Sequence, residues 1–131
     1  MSYGSKVMCT LMMLLLQASP LRAASHHPQA FLDTIAGSKE EGARIVSHFC
    51  ATCHAPNPMI ALGAPRMNEV KDWRPRMTSG LNGLFTNTAE GFGAMPPRGG
   101  CFECTDKQLM LAILAMLPKD LHPKDALILQ K

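Results

Sequence analysis

Cys50-Ala51-Thr52-Cys53-His54 sets two thiols three positions apart with an imidazole directly after them. On a helical turn, two thiols at that spacing can each add to one of a porphyrin's two vinyl groups, and the next residue puts an imidazole under the iron. Cys-x-x-Cys-His therefore reads as a c-type haem attachment site. Two other chemistries use a Cys-x-x-Cys pair. A thioredoxin-like redox pair belongs to a βαβ pattern, and none surrounds residues 50–53. A zinc ribbon would recruit Cys101-Phe102-Glu103-Cys104. Ribbons space their pairs about 15–20 residues apart, whereas 47 residues separate Cys53 from Cys101.

A six-coordinate iron needs a second axial ligand, and a thioether there raises the reduction potential and suits electron transfer. The candidates are Met59, Met67, Met77, Met95, Met110 and Met116. Met110 and Met116 fall on a helical stripe near the end of the chain, where methionine fills gaps in a core. Met59 and Met67 are close to the motif and need a tight loop around the haem edge. Met95 follows Gly-Phe-Gly-Ala and precedes Pro96-Pro97, an irregular loop stiff enough to present a fixed thioether. His26, His27, His48 and His122 are further possible ligands. The pair Cys101/Cys104 is no second haem site, because Thr105 stands where histidine is required. A local disulfide and a catalytic dithiol both remain open for it.

The start of the chain bears on compartment. Lys6, the apolar run Val7–Leu16 and the small-residue exit Ala18-Ser19-Pro20-Leu21-Arg22-Ala23-Ala24 form the three-part pattern of a secretory signal. Cleavage is expected after Ala23, with Ala24 as the rival. The run is shorter than the ~20 residues a membrane span needs, and an uncleaved anchor is the alternative. Cys9 lies inside it as an ordinary hydrophobe. Of 13 basic residues, Lys6 and Arg22 fall in residues 1–23 and none of the 10 acids does, so the net charge of +3 drops to +1. Near-neutrality gives no footprint for nucleic-acid binding. Export permits disulfides.

The 131 residues suit about one domain. With five Phe, one Trp and one Tyr, the core is thin and a large buried cofactor would fill it. Residues 24–37 lack a clear period and read as a lead-in. Ser38-Lys39-Glu40-Glu41 reads as a capping box, opening a helix whose face carries Gly42, Ile45, Val46, Phe49, Cys50 and Cys53. A glycine at 42 costs about 1 kcal/mol against alanine and implies close approach of another helix. Residues 55–100 are broken by Pro56, Pro58, Gly63, Pro65, Gly91, Gly93, Pro96, Pro97, Gly99 and Gly100. Asp72 is placed to cap a short helix over Trp73–Thr78, and another covers Leu81–Thr86 or beyond. Thr105-Asp106-Lys107-Gln108 is a second capping box, followed by the stripe Leu109, Ala112, Ile113, Met116 and Leu117 and stopped by Pro118. No stretch alternates as a strand.

These residues are recognisable as a set. CATCH at 50–54, GAPR at 63–66, Trp73 with Pro75-Arg76, GLNG at 80–83 and AMPPRGGCFEC at 94–104 resemble class I cytochromes c, and within them the cytochrome c5 subgroup, from about Gly42 to Leu117. The resemblance implies an all-α fold: a small class I cytochrome c with its N- and C-terminal helices packed together around one covalent haem and a loop-rich centre. Residues 1–23 would be the signal peptide, 24–37 the lead-in and 38–131 the cytochrome domain. It further implies haem c on Cys50 and Cys53, axial ligands His54 and Met95, a Cys101–Cys104 disulfide, and a Pro65 carbonyl that accepts a bond from the His54 ring. Val46 and Ala115 stand where the family often has aromatics, so the helix crossing near Gly42 is expected to be repacked with aliphatic residues.

The implied function is a periplasmic one-electron carrier, not an enzyme, shuttling between redox protein partners of a respiratory chain. Arg66, Lys71, Arg74, Arg76 and Arg98 would steer acidic partners, pair with haem propionates or be merely solvated. Membrane association would come only through a partner complex or an uncleaved signal. A vacant second position would instead make a haem sensor or peroxidase-like enzyme, for which no distal histidine–arginine pair is recognisable. A permanently docked haem subunit of a larger oxidoreductase would show an apolar patch, for which Ala126-Leu127-Ile128-Leu129 is a small candidate.

Overall fold

The structure is a computed structural model that describes residues 27–124. The expected signal peptide 1–23, residues 24–26 and the apolar tail 126–129 lie outside the described residues. Within them every regular element is helical, apart from one isolated bridge pairing Phe92 with Met95. No helix there is long and apolar enough to cross a membrane.

The first helix, α1 (Pro28–Ile35), corrects the reading of 24–37 as a loose lead-in. Pro28 starts it, where a missing N–H costs nothing, and Gly37 at φ +75° follows its end. Its apolar stripe holds Leu32 and Ile35, 1% and 0% exposed, with Phe31 packed beside them. Two full-core positions in eight residues are too few to raise a periodic signal.

Helix α2 (Glu41–Ile45) leads through a π-helical turn (Val46–Cys50) into α3 (Ala51–His54). An unbroken α-helix was expected. The turn closes with Ala51 N–H donating to the Val46 carbonyl, five residues back. One inserted residue rotates the segment after it by about 100°, which separates the packing face from the chemical face. The expected capping box also fails. Glu41 donates its backbone N–H to the Ser38 carbonyl at 3.1 Å, but its side chain does not bond back to Ser38. It is buried, accepting Gly37 N–H at 2.8 Å and Gln108 Nε2 at 3.0 Å, so its carboxylate ties the turn before α2 to the far end of the chain.

The chain then loops to α4 (Val70–Trp73), a 3₁₀ turn (Arg76–Ser79), α5 (Gly80–Glu90) and a second 3₁₀ turn (Pro97–Gly100). The short helix expected over Trp73–Thr78 starts three residues earlier. Pro75 therefore falls past its end, where it lacks the N–H to continue the ladder. Helix α6 (Asp106–Met116) has the expected capping box: Gln108 N–H donates to Thr105 Oγ1 at 3.2 Å and Thr105 N–H to Gln108 Oε1 at 2.9 Å.

Helix α2 crosses α6. A Cβ on Gly42 would come within 2.7 Å of the Leu111 carbonyl carbon, so the close approach read from the sequence is real. The surrounding core is aliphatic: Ile45, Val46, Ala112, Ile113 and Leu114 are buried, with Ala115 packed at its margin. Lacking the aromatics, the crossing closes by bringing backbones together.

Candidate functional site

His54 ends α3 and is 7% exposed. Its Nδ1 lies 2.7 Å from the Pro65 carbonyl oxygen. A carbonyl can only accept, so Nδ1 carries the proton and Nε2 keeps the lone pair a metal would use. Nε2 makes no hydrogen bond among the described residues. Trp73 lies beside the ring, centroids 6.3 Å apart and planes within 20°.

The loop that supplies this carbonyl is held at several points. Ile60 N–H donates to the Thr52 carbonyl at 3.0 Å and Met67 N–H to the His54 carbonyl at 2.8 Å. Trp73 Nε1 donates to the Arg66 carbonyl at 2.8 Å. Asp72 Oδ2 accepts from Arg66 N–H at 3.1 Å and from Arg66 Nε at 3.0 Å. Asp72 thus braces the Pro65–Arg66 loop and does not cap a helix. These bonds hold its carboxyl below the usual range, the Arg66 side chain most of all. Sequence reasoning missed this role, since the only signal was an acid six residues after an arginine.

Cys50 and Cys53 are half-buried free thiols on one turn. Burial, and secondarily Cys53, push the Cys50 thiol up to about 11. Met95 is half-buried in a tight turn, exchanging backbone hydrogen bonds with Phe92 at 3.0 and 3.1 Å. The following turn, Pro97–Gly100, packs on the π-helical turn that ends at Cys50. The Met95 loop and the thiol-bearing turn therefore come together, although 44 residues separate Met95 from Cys50. Two thiols and an imidazole with a free Nε2 are the donor set haem c requires, and the residues present fit it.

The other methionines are placed differently. Met59 is 89% exposed and Met116 is 3% exposed in the core. Met67 and Met77 pack against that core, and Met110 lies half-buried on α6. Of the histidines, His48 stacks on Phe31, centroids 4.3 Å apart. His122 Nε2 lies 3.2 Å from the Leu117 carbonyl. The sulfurs of Cys101 and Cys104 are 1.99 Å apart, and both residues are buried. Arg66, Arg76 and Arg98 are engaged within the chain, whereas Lys71 and Arg74 are exposed.

Residues 37–113 match the family model described as cytochrome C oxidase, cbb3-type, subunit III. The chain is 34% identical over 79 residues to cytochrome c5 of Azotobacter vinelandii, covering 59% of this chain and 92% of that protein. With cytochrome c5 of Ectopseudomonas mendocina the identity is 36% over 87 residues, 62% of this chain and 97% of that one. This chain is a class I c-type cytochrome of the c5 group. It carries covalent haem c and is an electron-transfer protein, not an enzyme. Cytochrome c-555 of Chlorobaculum tepidum is a further relative, 36% identical over 72 residues, 52% of this chain and 64% of that protein. No solved structure gives a significant match. Helix α1 lies before the residues matched by the family model.

Proposed function

We propose that this cytochrome is an exported, periplasmic one-electron carrier, its single haem c joined through Cys50 and Cys53 and its iron held by His54 and Met95. The observation that carries the reading is the His54–Pro65 bond: the ring is buried, fixed in one tautomer, and presents Nε2 as a ligand. Bound haem supplies a ferric/ferrous couple. Trp73 and Asp72 hold the Pro65–Arg66 loop, so His54 keeps its orientation in both oxidation states. Met95 would hold the iron through a soft thioether, which would favour the ferrous form. With His54 and Met95 both holding it, the iron would keep no position open to substrate or gas, which separates this reading from a sensor or peroxidase.

The Cys101–Cys104 pair serves as a disulfide fastening the Met95 loop to the start of α6, and its burial argues against a catalytic dithiol. Residues 1–23 act as the export signal. Lys71 and Arg74, exposed beside the His54 loop, steer an acidic redox partner, so electron exchange should slow as ionic strength rises. Acid–acetone extraction tests attachment: haem staying with the protein supports it, and haem entering the organic phase refutes it. A Met95→Ala variant tests the sixth ligand. The weak red band of iron–thioether ligation should vanish in the ferric protein, and its survival would refute Met95.

A further inference from the structure

Beyond Met95 the chain makes an unusual turn. Arg98 and Gly99 both adopt positive φ, 57° and 60°, folding the backbone back so that a Cβ on Gly99 would stand 3.5 Å from the Met95 methyl carbon. Glycine takes this conformation freely and arginine does not. The arginine side chain leaves the turn and reaches the start of α6. There Nη2 donates to the Cys104 carbonyl and, at 3.0 Å, to Asp106 Oδ1. Asp106 is 73% exposed and Arg98 26%, so the ion pair is screened and the charged bond to the carbonyl is the stronger link. Nε is buried and has no hydrogen-bond partner among the described residues, which leaves Nη2 to make the attachment.

We propose that Arg98 is a positioning residue for Met95, its guanidinium pinning the Pro97–Gly100 turn to Cys104 so that the thioether resists displacement from the iron. The proposal rests on the reading that Met95 is the axial ligand. Of the five residues between Met95 and Cys101, Pro96 and Pro97 are stiff but Gly99 and Gly100 are not, so the cysteine pair alone leaves slack between itself and the prolines. Arg98 takes up that slack nearer the ligand.

The test is imidazole titration of the ferric holoprotein, followed by loss of the red thioether band. Arg98→Asn removes the guanidinium and keeps a residue that tolerates positive φ. One charged hydrogen bond lost from the closed loop should tighten apparent imidazole binding roughly tenfold or more. Arg98→Lys, keeping the charge but not the fork, should fall between the two; it carries the test if the asparagine variant does not fold. Unchanged imidazole affinity with a lower melting temperature would overturn the proposal, because a merely structural arginine gives that result. Met95→Ala separates the two failures. If it retains the red band, the ligand reading falls and this inference with it. If it loses the band while Arg98→Asn binds imidazole like the parent, only the inference falls.

Discussion

Gly42→Ala puts the helix crossing to a quantitative test. The new methyl would come within 2.7 Å of the Leu111 carbonyl carbon and 3.2 Å of its Cβ. These atoms belong to, or hang directly on, the backbone of α6 and cannot rotate aside. Overpacking a fitted core costs about 1–3 kcal/mol, and a backbone obstacle puts this site near the upper figure. Alanine returns at most about 1 kcal/mol in helix propensity. The net loss is about 2 kcal/mol, which for a domain this size lowers Tm by roughly 8–16 °C. Thermal unfolding of the holoprotein followed at 222 nm measures it. An unchanged or higher Tm would mean that propensity wins and the crossing is not tight, refuting the account of why glycine stands there.

Two more consequences follow from residues outside the haem motif. Leu32→Ala should cost about 2–5 kcal/mol in denaturant unfolding, because α1 is part of the core; a change under about 0.5 kcal/mol would return 28–35 to the status of a loose leader. Asp72 has its carboxyl pKa lowered by Arg66, so its contribution is complete above the ordinary carboxylate pKa of about 4 and is lost as pH falls through the depressed folded value. Asp72→Asn should therefore narrow the stability gap between pH 6 and pH 3; a gap equal to the parent's would contradict the brace.

What the sequence revealed was the chemistry carried by neighbouring residues. The haem motif, the Thr105 box and the crowding at Gly42 each depend on spacings of a few positions, or on one glycine in a helical face. The Pro65 carbonyl was legible only through likeness to a family. What stayed hidden depends on partners far along the chain. Glu41 looked like the third residue of a capping box, but its partner Gln108 lies 67 positions away. Asp72 looked like an N-cap because its partner Arg66, though only six positions back, lies outside the three- and four-residue spacings that local patterns read. The π-helical turn has no residue signature, since an inserted residue is a response to packing on two faces at once. Helix α1 did leave marks: proline at its first position, glycine past its end, and apolar residues at 31, 32 and 35. Those punctuation signals were readable, although its period was too short to find.

The central claim is a haem iron closed on both sides by His54 and Met95. The most direct measurement is the absorption spectrum of the dithionite-reduced holoprotein before and after saturation with carbon monoxide. The account predicts a low-spin ferrous spectrum unmoved by the gas at neutral pH. A prompt shift to a carbon monoxide adduct would contradict it, because an iron open to gas is not held by two protein ligands.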